Sequence, residues 1–375
     1  MTKKSLDSLL DFEQPTRYIV KTTDYDDSYD TPVLTAGQSF ILGYTDETEG
    51  IYHASKENPV IIFDDFVTSF HWVDFDFKVK SSAIKILKPK DGVDIRMVYF
   101  GMLGIKYEPK EHSRHWISQY SKFEVPYPEK EEREILVTKL NAFTSLIRSL
   151  EEEIEIRKKQ YEFSLNFFFG SNIADAEKKE KEGNYYLKDL SSIGSFKRGK
   201  RFVREDIVDE GVPCIHYGDM YTTYGMCENE TKTFLKEEKA WKLRFAHKGD
   251  VVIVAAGEND WDIGVGMAWM GEEAAVHDAC YIFEHCEHPK YISYFLRSNN
   301  YHLQIRSGVK TGKICSISDK DLGKAKILIP KNNKVQDDVV EKLDAFTTLI
   351  SKLQEERDLR QKQYEYYREK LLTFE

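Results

Sequence analysis

Apolar residues recur at alternating steps of four and three through two long stretches of this 375-residue chain. The first stripe runs Leu136, Leu140, Phe143, Ile147, Leu150, Ile154, Arg157, Tyr161; the second runs Val339, Leu343, Phe346, Ile350, Leu353, Arg357, Arg360, Tyr364. A period of 3.5 keeps an apolar seam turned toward a partner helix as the two wind around each other. The stretches are copies of one another: Val137–Phe163 and Val340–Tyr366 are identical at 16 of 27 aligned positions. The identities include the polar pairs Arg157/Arg360, Lys159/Lys362 and Gln160/Gln363. The plainer reading is that each helix merely caps its own neighbouring unit, but identity at so many positions, polar ones included, points to mutual pairing. The pattern therefore predicts two long helices that pair, antiparallel, in a pseudo-twofold body. From Leu136 to Phe168 such a helix would span about 50 Å at about 1.5 Å per residue. Ile154 is matched by Arg357, so one side of the pair should be weaker or face acidic groups.

Ahead of each helical stretch the pattern shortens. Pro59–Phe63 is an apolar run fit for a buried strand, and His71–Lys80 alternates as a half-buried strand does. Ile84–Leu87 reads as another strand, and Asp91-Gly92 marks a turn before Ile95–Gly101. In the second segment Gly249–Ala256 reads as turn then strand, Ala275–Phe283 as one strand, and His288–Arg297 as a short helix. Each helical copy follows an apolar run ending in proline, at Pro126 and Pro330, and beyond those endings the two segments do not align. The fold class is α+β. Residues 1–130 form a first strand-rich domain and 131–184 a helix and exposed charged linker (Asp175–Glu182). Residues 185–330 form a second domain and 331–375 a second helix.

Composition narrows the setting. The length suffices for two to three domains. No run approaches 18 apolar residues, and the N-terminal segment lacks a signal-peptide apolar region, so a soluble, cytoplasmic protein is expected. Five cysteines without a CxxC pair suggest reduced thiols rather than a disulfide framework. The net charge of −10 argues at first against a nucleic-acid partner, yet total charge does not say where a basic face lies.

Catalytic signatures are missing: there is no phosphate-binding P-loop, no G-x-G-x-x-G, no H-E-x-x-H and no nucleophile elbow. The methyltransferase tetrapeptide Asn-Pro-Pro-aromatic is absent too. Glu108–Lys110 and Glu237–Lys239 could serve a nuclease metal site, although such pairs arise by chance in a chain that is 31% charged. His277, Cys280, His285, Cys286 and His288 have nearly zinc-like spacing, but Cys280 lies in an apolar strand pattern, where cysteine is usually a small buried hydrophobe.

Loops rich in glycine and cations are more suggestive. Phe196–Arg204 places Lys197, Arg198, Lys200, Arg201 and Arg204 around Gly199 and two aromatics, and Arg306–Lys313 joins Lys310, Thr311 and Lys313 to two glycines. Such loops bring backbone N–H groups and cations close to phosphates, and arginine can read guanine edges. In the first segment Lys78, Lys80, Lys85, Lys88 and Lys90 flank Ser81-Ser82, with Thr68-Ser69 and His112–Trp116 as further polar stretches. A solvated basic surface, or plain turns, would look the same.

Taken together these features resemble the specificity subunits of type I restriction–modification systems, over essentially the whole length. The resemblance rests on K-L-x-A-F-x-x-L-I-x-x-L ending in R-x-K-Q-Y-E at Lys139–Glu162 and Lys342–Glu365. It also rests on PVLTAGQSFILGYTDETEGIY and PVIIFDDF in the first domain, and GVPCIHYGDMY, GDVVIVAAGEN and KAKILIP in the second. It implies a non-catalytic subunit whose two target-recognition domains each bind half of a split, asymmetric double-stranded DNA target. Paired helices would set the gap, with half-sites about 34–36 Å apart. It implies partners as well: two methyltransferase subunits that use S-adenosylmethionine on adenine, and restriction subunits that use ATP and magnesium. No cofactor or metal is expected on this chain, and the closing of the circle would pack residues 1–20 against Tyr364–Phe374. On this reading Lys197, Arg198, Lys200, Arg201, Arg204, Lys310, Thr311 and Lys313 contact DNA in the second domain. Lys78, Lys80, Lys85, Thr68, Ser69, Arg114 and His115 do so in the first. The competing reading is a coiled-coil scaffold with two protein-binding modules, which suits the acidic total but leaves the glycine–cation loops unexplained.

Overall fold

The computed structural model describes residues 2–35, 37, 39–109 and 113–372. The chain divides into two compact units, Met1–Glu151 with Glu355–Glu375, and Glu152–Gln354. Each takes a share of two long helices, Lys130–Phe169 and Lys334–Leu372. The first helix opens on Glu131 and Glu132, whose charge suits the exposed N–H groups of a helix start. It ends at Gly170, which adopts φ +81°, the left-handed conformation glycine supplies after a helix.

Within the first unit the two helical segments pack together. Leu136, Leu140 and Ile147 share a core with Tyr364 and Leu372. Phe143 stacks on Tyr367 (centroids 5.5 Å apart) and lies 6.5 Å from Tyr364, while Arg357 reaches Glu151 at 3.8 Å. Numbers rise along one helix as they fall along the other, so the pairing is antiparallel. In the second unit Leu165 and Phe169 share a core with Val339, Val340 and Leu343. Of the predicted seam, Leu140, Ile147, Leu343 and Tyr364 are buried and Phe143, Leu150, Tyr161, Phe346, Ile350 and Leu353 half-buried. The seam also seats the globular part of each unit: Tyr161 lies 6.4 Å from Tyr294, and Asp344 pairs with Lys290. Each helix thus pairs with its copy and caps its own unit. Arg357, the odd partner of Ile154, does face acids, Glu151 and Asp358.

The strands reveal what the letters hid: the two units share one core topology, to which the second adds edge strands at Ile207–Val208, Cys227–Glu228 and Phe245–Ala246. In the first unit, Lys3–Ser5 pairs with Glu124–Pro126, and a helical turn, Leu6–Leu9, leads into an antiparallel sheet. Its order is Leu10–Glu13, Ile84–Pro89, Val60–Asp64, Phe70–Val73. In the second, Tyr185–Asp189 pairs with Lys326–Pro330, and the turn Leu190–Ile193 leads into Gly194–Arg198, Cys280–His285, Val251–Val254, Gly266–Trp269. A further sheet repeats as well. Ile41–Thr45, Thr31–Leu34 and Lys78–Val79 correspond to Thr233–Leu235, Val212–Ile215 and Ala274–Val276, antiparallel and then parallel in each unit. Finally Ile95–Met102, capped by Asp94, matches Pro289–Phe295, capped by His288.

Three expectations change. His71–Lys80 is not one strand but two, Phe70–Val73 and Lys78–Val79, in different sheets. Ala275–Phe283 likewise divides into Ala274–Val276 and Cys280–His285. In the first the alternation continues across the crossing, so periodicity alone could not see it; in the second the break falls at the polar pair His277-Asp278. The charged linker is a helix, Ile173–Lys181, capped by Asn172 and anchored by buried Ala176. Leu6, Leu9 and Leu10 do share a core with Tyr364 and Leu372, whereas Phe374 lies outside the described residues.

Candidate functional site

In the second unit, four loops converge on one end of the sheet that Gly194–Arg198 opens. Arg198 ends its strand opposite Tyr281, which faces Ile253 across the ladder. Backbone bonds knit the loops beyond that edge: Gly199 N–H donates to the Cys280 carbonyl, Lys200 N–H to Val276, Ala255 N–H to Ala279, and Ile317 N–H to Ala255. Gly199 is obligatory here, since a side chain would collide with the carbonyl oxygens of Val276 and His277. The fourth loop is a hairpin closed by reciprocal backbone bonds between Lys310 and Ser316, with exposed Thr311, Lys313 and Ile314 at its tip.

The predicted cations in this unit fall into two groups. Phe196 stacks on Phe283 at 4.5 Å, which turns its neighbour Lys197 to the other face, where Glu284 pairs with it at 2.5 Å. Arg198 donates from Nε to the Asp278 carbonyl and lies over the Tyr281 ring. Lys200, Arg201, Arg204, Lys310 and Lys313 are exposed, with no side-chain ion pair among the described residues. Arg244, which carries no mark in the sequence pattern, joins the basic segment by donating to the Arg198 carbonyl.

Between these loops sits an aromatic cluster that the sequence pattern does not announce. His216 and His277 stand 4.9 Å apart, with Tyr217 4.5 Å from His216 and Phe202 4.9 Å from His277. Burial pushes both imidazoles below their ordinary value; Asp219 opposes this at His216 and Asp278 at His277, while His216 and Arg201 lower His277 further. The signal was present as a repeat too short to align: Pro32–Gly37 (PVLTAG) and Pro213–Gly218 (PCIHYG) occupy equivalent positions.

The first unit builds the same edge. Asp65 N–H donates to Ala83, and His115 N–H to Asp65, in the places of Ala255 and Ile317. Lys80, Ser69 and Arg114 lie at this end, Lys80 exposed with its ammonium 5.7 Å from the Tyr25 ring. Four residues expected to touch DNA are instead internal. Lys78 is 1% exposed and spends its ammonium on the Glu49 and Gly50 carbonyls and the Glu47 carboxylate. Lys85 is as deeply buried against Asp65 at 3.3 Å. Thr68 is buried in a tight turn at φ +59°, and His115 is buried beside Tyr107. Each serves to hold the loops rather than to reach outward. His112 and Lys110 lie outside the described residues.

Among the described residues the other chemistries find no geometry. Lys239 is paired with Asp206. Cys280 is wholly buried, with its thiol pushed up to about 12, and among the described residues no three His, Cys, Asp or Glu side chains are grouped to hold a metal. Among the described residues no helix is long and apolar enough to cross a membrane.

Known proteins match this arrangement along its whole length. The family model for the type I restriction modification DNA specificity domain matches residues 179–359. The chain is 36% identical to the type I restriction enzyme EcoR124I/EcoR124II specificity subunit of Escherichia coli, covering 98% of this chain and 93% of that one. It is 24% identical to a putative type I restriction enzyme specificity subunit of Haemophilus influenzae, covering 90% and 86%. Among solved structures, the S subunit of a type I restriction-modification system from M. genitalium superposes with a TM-score of 0.60 at 16% identity, covering 100% and 96%.

Proposed function

Because the chain belongs to the type I restriction enzyme specificity subunits, we propose that each unit reads one half of a bipartite, asymmetric DNA target and that the duplicated helices set the unread gap. The observation that carries this reading is one topology built twice with dissimilar chemistry at matching loops. One scaffold repeated supplies two readers, and different side chains on it require two different half-sites. Lys200, Arg201, Arg204, Lys310 and Lys313 in the second unit, and Arg114 in the first, are exposed cations that can meet the duplex backbone.

The chain itself supplies recognition; modification and cleavage come from partners. Two methyltransferase subunits bring S-adenosylmethionine and transfer its methyl group to adenine, and restriction subunits bring ATP and magnesium. A duplicated outer face supports two like partners. Leu146 and Leu349, Ile156 and Leu359, and Phe163 and Tyr366 are equivalent positions in the two helices, apolar or aromatic, and all exposed. Exposed apolar groups kept through duplication suit docking rather than core packing.

The test is the adenine methylome of the host with this gene intact and deleted. Loss of one bipartite, asymmetric motif on deletion is the expected result. A symmetric motif, or no change while the methyltransferase partner is expressed, would refute the reading.

A further inference from the structure

The carboxyl ends of the parallel strand pair fall at the same place in the two units. The Leu34 carbonyl accepts from the Lys80 N–H at 3.0 Å, and the Ile215 carbonyl from the His277 N–H at 3.1 Å. One residue further on, Thr35 Oγ1 accepts from the Gly37 N–H at 3.4 Å, and His216 Nδ1 from the Gly218 N–H at 3.1 Å. Thr35 is thus the counterpart of His216, and Lys80 the counterpart of His277. The backbone is the same and the chemistry is not.

We propose that these paired positions are where each unit discriminates bases: His216 beside His277 for one half-site, and Lys80 beside Thr35 for the other. The proposal rests on the DNA-reading function above and assigns its specificity to named side chains. Its strongest element is the fixed tautomer of His216. Because Nδ1 accepts from the Gly218 amide, the neutral ring carries its proton on Nε2. That N–H meets no acceptor among the described residues, and it belongs to a half-buried ring backed by Tyr217 and flanked across the cluster by the Lys200–Arg201 segment. Burial favours the uncharged ring, in which His216 offers one donor and no charge.

A single fixed donor in the major groove can donate to guanine O6 or N7, adenine N7 or thymine O4, and finds no acceptor in the cytosine N4 amino group. Lys80 offers a charged ammonium instead, resting against the Tyr25 hydroxyl at 3.4 Å with further N–H groups to give, which favours the two acceptors of guanine. Two units of one fold would thereby prefer different bases. Cations outside the pair, such as Lys200 and Arg201, hold the backbone in register without choosing sequence.

The experiment is methylome sequencing of hosts carrying the full restriction–modification complex with His216→Asn or Lys80→Met. Asparagine keeps an acceptor for the Gly218 amide, so the loop is retained, while its own N–H donors sit on a shorter side chain and no longer stand where Nε2 did. In His216→Asn, methylation should rise roughly tenfold or more at sites differing at one or two adjacent positions of a single half-site, the magnitude expected when one base-reading hydrogen bond is removed. The other half and the gap should not change. Lys80→Met should relax only the opposite half. An unchanged motif in the two variants, relaxation of both halves by one variant, or uniform loss of methylation at normal protein level would each overturn the assignment. If the wild-type complex yields no bipartite motif, it is the underlying function that fails instead.

Discussion

Lys290 lies 2.8 Å from the Asp344 carboxylate, at the place where the other unit has Arg96 donating to Asn141 at 2.7 Å. Arg96 and Lys290 are each two residues past the cap of their helix, and Asn141 and Asp344 are equivalent in the duplicated long helices. The contact that seats each globular body on its helix is therefore itself duplicated, as a charge–amide pair in one unit and an ion pair in the other.

Asp344 also accepts from the Tyr294 hydroxyl at 2.6 Å. Asp344→Ala leaves two donors without their acceptor and should lower the stability of the second unit by about 1.5–3 kcal/mol, with partial exposure holding it below the cost of a deeply buried pair. Asp344→Asn, which installs the residue of the other copy, should cost about half as much. Denaturant unfolding of the two variants measures the difference.

Lys85→Met should act on folding and not on DNA. It strands Asp65, whose carboxylate also accepts from the Trp116 N–H, inside the first unit. Removing one partner of a buried pair costs about 3–5 kcal/mol. Any DNA binding that survives should keep its wild-type salt dependence, and a shallower slope would return Lys85 to the interface.

Replacing Lys200, Arg201 and Arg204 with alanine should reduce the slope of log affinity against log salt by about 3, close to one for each phosphate left without its cation. Lys197→Ala should change it far less, since Glu284 already neutralises that cation. Equal effects would show that the Lys197–Glu284 pair opens on DNA.

His285 provides a pH signature. Burial, aided by His288 and opposed by a Glu287 backbone interaction, pushes its imidazole down to about 4 from an ordinary 6.5. Between those values the unfolded chain takes up a proton that the folded chain refuses, so stability falls as pH falls from 6.5 toward 4. The loss from this group is at most about 3 kcal/mol. In His285→Leu the acid-side fall should flatten without vanishing, because His216, His277 and His302 are shifted in the same direction. Thermal melts of the variant and the wild type across that window check it.

The helices were legible because a heptad is a local property, and duplication displayed it twice. The strands Val60–Asp64 and Val251–Val254 were legible as apolar runs, and Pro289–Phe295 as a short helix. The shared topology was not, because a β-sheet preserves burial and register while letting its letters change. Phe196 and Phe12 hold matching strand positions, yet their neighbours Lys197 and Glu13 carry opposite charge.

Site residues were harder still. A lysine in an alternating strand reads as exposed, and only its distant partner decides otherwise: Lys78 is claimed by groups near position 49, and Lys85 by Asp65. His216 escaped notice because a lone histidine after a strand carries no local mark. It acquires meaning only when Lys80 and Thr35 are found in the matching frame.

The division of the chain has a consequence for its synthesis. The second unit is contiguous, Glu152–Gln354, and can fold as it leaves the ribosome. The first is not, for Tyr364 and Leu372 complete its core. At about 5–20 residues per second, the early segment waits roughly 10–40 s while the whole intervening unit is made. Through that interval Leu140 and Ile147 lack the aromatic and aliphatic groups that will cover them. Nascent protein therefore passes through a stage in which one unit is finished and the other stands open, its unfinished core exposed to aggregation and proteolysis.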